Sequence, residues 1–151
     1  MNFLPPSAGL FFRKRKKKME KVEHIGIAVK DMKSANELFS KLLGSLPYKS
    51  EEVESEGVAT SFFQTGETKI ELLAALNEES PIAKFIFKRG EGIHHIAFAV
   101  TDIYAEMKRL QSEGFVFISD EPKRGADNKL VCFLHPKTSN GVLIELCQEA
   151  N

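Results

Sequence analysis

Cysteine is scarce in this chain. Only Cys132 and Cys147 occur among 151 residues. No CxxC spacing is available for a structural zinc site, and two thiols in different expected strands read as buried cysteines in a reducing compartment. Whether the two are neighbours stays open at this level. Long apolar runs are also missing. None approaches the roughly 18 residues that cross a bilayer, so no membrane span is expected. Net charge is absent too, with 21 basic and 21 acidic residues.

That zero balance hides an asymmetry. Residues 1–18 hold Arg13, Lys14, Arg15, Lys16, Lys17 and Lys18 and no acid. Without those six, 15 basic residues face 21 acids, a body of about −6. An acidic body argues against a nucleic-acid-binding domain. In the first 18 residues the charges follow the apolar segment, the wrong order for a secretory signal. The segment is expected to be a disordered basic extension. An upstream start, with Met19 as the beginning in use, is an alternative. A transit peptide or an anionic-lipid or nucleic-acid tail fits the pattern less well. Residues 19–151 are long enough for one domain with a real core.

What is present is a repeated strand. Gly92-Ile93-His94-His95-Ile96-Ala97-Phe98-Ala99-Val100 and Val22-Glu23-His24-Ile25-Gly26-Ile27-Ala28-Val29 share one grammar. His24 falls on His95, Gly26 on Ala97 and Ala28 on Ala99. At the same offset, Lys69-Ile70-Glu71-Leu72-Leu73 matches Val142-Leu143-Ile144-Glu145-Leu146. Each half is roughly β-α-β-β-β. Its helix runs from Asp31 to Leu43, with Ala35, Leu38, Phe39, Leu42 and Leu43 on one face, or from Asp102 to Glu113. Strands are expected at 48–53, 58–64, 69–75, 115–118, 130–134 and 142–147. Ser80 and Pro81 signal a short helix between the halves. The fold class is α+β: two modules, about 22–76 and 92–148, paired around a shared cleft.

Side chains alternate along a strand, so His24, Gly26 and Ala28 share a face, as do His95, Ala97 and Ala99. Small residues beyond each His leave room for a ligand. A lone His in a strand is commonly structural. A lone Glu inside Leu143-Ile144-Glu145-Leu146 is harder to explain, because burying an unpartnered carboxylate is costly. Two such Glu and two such His at matching positions have the makings of a mononuclear metal site. Alternation turns His94 away from His95, toward a supporting or structural role. His135 precedes a Pro in a turn and is expected to be a loop or substrate contact.

From Val22 onward the chain resembles the methylmalonyl-CoA epimerases of the vicinal oxygen chelate (glyoxalase-like) superfamily. Glu23-His24-Ile25-Gly26-Ile27-Ala28-Val29 and Gly141-Val142-Leu143-Ile144-Glu145-Leu146 are widespread there. Thr68-Lys69-Ile70-Glu71-Leu72-Leu73 and Gly92-Ile93-His94-His95-Ile96-Ala97 add to the match. Ser80-Pro81-Ile82-Ala83-Lys84-Phe85 and Phe133-Leu134-His135-Pro136-Lys137 are more typical of the epimerases. The resemblance implies a cupped mixed sheet around one divalent ion (cobalt, manganese, nickel or zinc) held by His24, Glu71, His95 and Glu145. Some relatives carry Gln at the position of Glu71. It also implies inversion at carbon 2 of an acyl-CoA substrate through a metal-stabilised enolate, with Glu145 as one base. A Glu two residues before the equivalent of Gly57 is the family's other base. Ser55 stands there, so Glu54 and Glu56 are the candidates. Lys123, Arg124, Lys129 and Lys137 are possible contacts for the CoA phosphates. A cytoplasmic homodimer without membrane or nucleic-acid partners is the expected setting. A glyoxalase I-type lyase is the alternative enzyme, and a metal-free binding or resistance module the alternative class. A ring-cleaving dioxygenase fits less well, because its iron site has no use for Glu71.

Overall fold

The computed structural model describes residues 19–150. The expected basic extension, 1–18, lies outside them. Among the described residues eight strands form a single sheet: β1 (Lys21–Ala28), β2 (Lys49–Val53), β3 (Val58–Thr65), β4 (Thr68–Ala75), β5 (Gly92–Ala99), β6 (Lys123–Arg124), β7 (Lys129–Leu134) and β8 (Ile144–Glu149). Three α-helices accompany it: α1 (Met32–Leu43), α2 (Pro81–Arg89) and α3 (Ile103–Ser112). The strand order is β2-β3-β4-β1-β5-β8-β7-β6. The halves mirror one another in it. β1 pairs in parallel with β4, and β5 in parallel with β8. The antiparallel β1–β5 pair joins the modules at the centre.

The helices start where side chains supply the missing acceptors. Asp31 caps α1, Ser80 caps α2 and Asp102 caps α3, each accepting a backbone N–H of the first turn. α1 covers module one, packing Ala35, Met32, Phe39 and Leu43 against Val29, Phe63, Leu72 and Ala74. α3 covers module two, packing Ile103, Met107 and Leu110 against Val100, Cys132, Leu134 and Leu146. Leu38 and Leu42, expected to share the buried face of α1, are exposed. The inward stripe uses Met32 and Ala35 with Phe39 and Leu43 instead. The opposite face of the sheet carries the polar residues. In β4 and β8, residues 70, 72, 144 and 146 face the helices, which turns Glu71 and Glu145 the other way. α2 crosses this second face at module one, with Ile82 on Ala28, Val58 and Leu73.

The expected strand at 115–118 is only a single bridge, Phe117 to Leu134. The chain then leaves β7 around Pro122, which has no N–H for a ladder. It returns as the two-residue β6, opposite Val131 and Leu130. Cys132 lies under α3, whereas Cys147 packs with Ala97 and Val131. The two thiols are free and sit on opposite faces of the sheet.

Candidate metal centre and cleft

The geometry of the site follows from two irregularities in the central strand pair. Val22 lies opposite Phe98 and His24 opposite Ala97, so Glu23 is an extra residue in β1. Gly26 lies opposite His95 and Ile27 opposite Ile93, so His94 is an extra residue in β5. Each bulge therefore falls on the residue just before a strand histidine. A bulge breaks alternation and re-aims the side chain it carries. This is why His94, expected on the other face, lines the same cavity as His95.

Both bulge residues reach the Nδ1 edge of the next ring. Glu23 Oε1 is 3.0 Å from His24 Nδ1, and His94 Nδ1 is 2.9 Å from His95 Nδ1. An Nδ1–H engaged from behind leaves Nε2 with its lone pair pointing inward. The two Nε2 atoms lie 3.0 Å apart. Glu145 Oε2 is 2.8 Å from His24 Nε2 and 3.3 Å from His95 Nε2. Glu71 Oε2 is 3.1 and 3.5 Å from the same two nitrogens. All four side chains are buried.

These atoms are crowded acceptors. With the ring protons on Nδ1, Glu145 Oε2 finds no donor, and at most one proton can bridge the nitrogen pair. A cation resolves the conflict. Ligands about 2.1 Å from a divalent ion sit roughly 3.0–3.4 Å from their neighbours, close to the separations seen here. The electrostatics agree. Burial alone would lower the His24 imidazole, but the Glu145, Glu23 and Glu71 carboxylates hold it well above its ordinary value. His95 is raised to about 9, with burial opposed by Glu145 and Glu71. Burial works against an ionised Glu145, yet the two imidazoles hold it down at about 2. The pocket is built to retain positive charge, and the donor set fits a mixed imidazole–carboxylate metal site.

Glycine makes room for the second histidine. A Cβ on Gly26 would lie 2.2 Å from His95 Cε1. The small residue after His24 thus admits the opposing ring and does not leave space for a ligand, as its sequence position suggests.

A second network stands behind Glu23. Its Oε2 accepts from Lys69 Nζ at 3.1 Å, and the same ammonium donates to Asp127 Oδ2 at 3.1 Å. Tyr48 OH donates to that oxygen at 2.9 Å. Burial would lower the Lys69 ammonium, but Asp127 and Glu23 raise it. Asp127 belongs to the loop between β6 and β7 and has φ of 56°, a region Asp tolerates better than most residues. Nothing in the sequence singles out Lys69 and Asp127 as partners. Their only local signal is a turn-like Asp127-Asn128, and the partners are 58 residues apart.

Three of the four donors, Glu71, His95 and Glu145, line a cavity of about 320 Å³ walled by Val58, Leu73, Ile82, Val131, Phe133 and Leu143. His24 sits behind them in a small adjoining pocket with Glu23 and Asp127. Glu56 and Lys123 also line it, as an ion pair of 2.8 Å. Glu54 is exposed and does not line it. Arg124 bonds Asn128 Oδ1, outside the cavity. His135 accepts from the Lys137 N–H as the cap of a short 3-10 turn, and neither side chain lines the cleft. Lys129 is paired with Glu149. Of the expected CoA contacts, only Lys123 reaches the cavity. A second cleft of about 560 Å³ adjoins it, sharing Pro81, His94, His95 and Leu143. Its rim holds Lys84, Lys88 and Arg89, none of which the sequence marks as a ligand contact.

A family model for the glyoxalase/bleomycin resistance protein/dioxygenase superfamily matches residues 23–133. The chain belongs to that superfamily. Within it, the chain is 44% identical over 130 residues to the ethylmalonyl-CoA/methylmalonyl-CoA epimerase of Cereibacter sphaeroides, covering 85% of this chain and 97% of that one. The crystal structure of methylmalonyl-CoA epimerase from Mycobacterium tuberculosis superposes with a TM-score of 0.86 at 35% identity, covering 91% and 93% of the two chains. A methylmalonyl-CoA epimerase in complex with methylmalonyl-CoA and NH4+ superposes at 0.82 with 33% identity, over 87% and 96%.

Proposed function

We propose that this chain epimerises 2-methylmalonyl-CoA at carbon 2, with a divalent ion held by His24, Glu71, His95 and Glu145. One observation carries the proposal. A buried carboxylate oxygen of Glu145 faces both imidazole Nε2 atoms, at 2.8 and 3.3 Å, at a cavity that Glu56 also lines. The relatives named as epimerases support the same substrate.

The proton at carbon 2 lies between a thioester and a carboxylate. When bound, the ion supplies Lewis-acid stabilisation of the enolate charge. The protein supplies the rest. Glu145 removes or returns the proton on one face, and Glu56 serves the other. Lys123, paired with Glu56, holds that carboxylate at the cavity wall. Val131, Phe133 and Leu143 exclude water from the reacting carbon.

The setting belongs to the proposal too. Burial pushes the Cys132 thiol up to about 12 and raises Cys147, which suits unreactive cysteines in the cytoplasm. Leu38, Leu42 and Leu46 expose apolar surface on α1 and the loop after it, which suits a homodimer. Sedimentation analysis tests the assembly. The activity is tested by deuterium exchange into methylmalonyl-CoA, with added metal and with chelator. Exchange at carbon 2 from both epimers, abolished by chelator and restored by metal, is expected. No exchange by the metal-loaded protein would overturn the assignment.

A further inference from the structure

We propose that α2 forms the phosphate-binding rim of the acyl-CoA site, through Lys84, Lys88 and Arg89. This rests on the acyl-CoA reading above and names the part of the surface that takes the nucleotide end. Three observations lead to it.

First, the cleft has a direction. The inner cavity contains Glu71, Glu145 and Glu56, where the acyl carbon must react. The second cleft opens from it past His94, His95, Pro81 and Leu143. Its walls are Phe85, Ile93, Ile96 and Val142 on the way to the cationic rim. Apolar walls suit the pantetheine arm, and cations at the end suit the phosphates that follow it.

Second, the cations lack anionic partners, Arg89 resting only over the Phe85 ring at 5.7 Å. The ion pairs of the domain engage Lys49, Lys69, Arg109, Lys123 and Lys129. Among the described residues, none reaches Lys84, Lys88 or Arg89. Lys84 and Lys88 stand at i and i+4, where like charges repel along the helix. Pro81–Arg89 contains no acid to offset them. Lys88 and Arg89 also complement the negative end of the helix, but Lys84 is one turn too early for that. An arriving phosphate relieves the repulsion.

Third, the patch stands out against its background. The rest of the domain is acidic, and three of the four cations expected to meet CoA are otherwise occupied: Lys123 by Glu56, Arg124 by Asn128 and Lys129 by Glu149. The fourth, Lys137, follows Pro136 of the second cleft but does not itself line it. A polyanionic ligand approaching the cleft meets positive charge at α2.

The test compares wild type with a Lys84→Gln/Lys88→Gln/Arg89→Gln variant, folding being checked by circular dichroism and melting temperature. Coenzyme A binding is measured by calorimetry, which requires no turnover. The triple variant should bind coenzyme A about tenfold more weakly, since exposed charge pairs each contribute modestly. Its affinity should also depend less on salt. A Lys33→Gln/Lys41→Gln/Lys108→Gln variant, with equal charge removed elsewhere, should bind as wild type does. In turnover, KM for methylmalonyl-CoA should rise while kcat holds, and KM for methylmalonyl-pantetheine, which lacks the phosphates, should not move. Equal coenzyme A affinity in wild type and triple variant would overturn the assignment. So would an equal loss in the control variant, or parallel KM rises for both thioesters. Coenzyme A binding that depends on α2, in a protein that exchanges no carbon-2 proton, would separate the rim from the epimerase reading. The rim would stand and the reaction would fall.

Discussion

Glu23 and His94 occupy equivalent places in the two modules. Each is the extra residue of a bulge, and each stands one position before a site histidine and contacts its Nδ1. Their chemistry differs. Glu23 is a buried carboxylate tied to Lys69 and through it to Asp127. His94 is an imidazole pushed down to about 4 by burial and by His95, packed edge-on against Phe85 of α2. The duplicated backbone thus supplies two histidines in matched orientation, while different groups behind them make the halves unequal. Module one anchors its histidine in a charged network that reaches the β6–β7 loop. Module two leans its histidine on the wall of the cleft. A symmetric fold yields an asymmetric pocket, as two distinct faces of a substrate require.

The largest expected effect breaks the symmetry of the two carboxylates. Glu145→Gln should lose roughly 10²–10⁴ in exchange rate, the usual scale for removing a general base, while Glu71→Gln should mainly shift ion preference. Both keep an oxygen for the ion, so metal content is measured alongside. If Glu145→Gln retains metal and exchanges the carbon-2 proton from each epimer at the wild-type rate, Glu145 is a ligand only and Glu56 and Glu54 must account for both faces.

Gly26 and Ala97 form the next contrast. Both follow a site histidine by two residues, and each lies opposite the other module's histidine. Only Gly26 is forced. Gly26→Ala drives a methyl into the His95 ring, and overpacking of this kind costs about 3 kcal/mol at the upper end of its range. Denaturation midpoints and metal titration should both fall. A variant with unchanged metal affinity would show that His95 can move without leaving the site.

Glu23→Gln tests what stands behind module one. Loss of a hydrogen-bonded carboxylate behind a metal-bound histidine typically costs about 10–100-fold in metal affinity. His94→Gln retains a neutral hydrogen-bonding group and should cost less. Cobalt titration, followed by its absorption spectrum, reads both directly. Equal losses would mean that the two bulges serve the ion alike.

The β-α-β-β-β order is legible in the sequence because hydrophobic period, caps and turn residues are local. The site quartet is legible for a different reason: duplication supplies an internal standard, and Glu145 inside an apolar strand has no cheap bland explanation. The bulges were not legible. A one-residue insertion in a strand leaves the same residue order, and only the partner's register exposes it. Alternation alone therefore puts His94 on the wrong face, and Gly26, small enough to suggest space for a ligand, is space for His95. Network partners such as Lys69 and Asp127 are not legible either, because long-range ion pairs leave no periodic trace. The cationic rim on α2 is hidden for another reason: lysines on a short helix look like any solvated surface. The 115–118 segment failed on length, since a short apolar run can make one bridge as easily as a strand.

Asp127→Asn should have the smallest effect and isolates the charge in the module-one network. Asn tolerates a positive φ as Asp does, so the turn survives. What goes is the charge that Lys69 and Lys49 meet and that Tyr48 bonds. The loss is expected to be about 1–2 kcal/mol, the scale of hydrogen bonds to a charged group. The sign with pH follows from the carboxyl itself. Burial would raise it, but Lys69 and Tyr48 hold it below its ordinary value. Its contribution is present above the unfolded carboxylate pKa and is lost as pH falls through the lower folded one. The gap between wild type and Asp127→Asn should be full at neutral pH and close in acid, below about pH 4. Urea midpoints at pH 7 and pH 3 measure it. A gap that persists in acid would mean that Asp127 holds the loop by shape. The charged chain from loop to His24 would then end at Lys69.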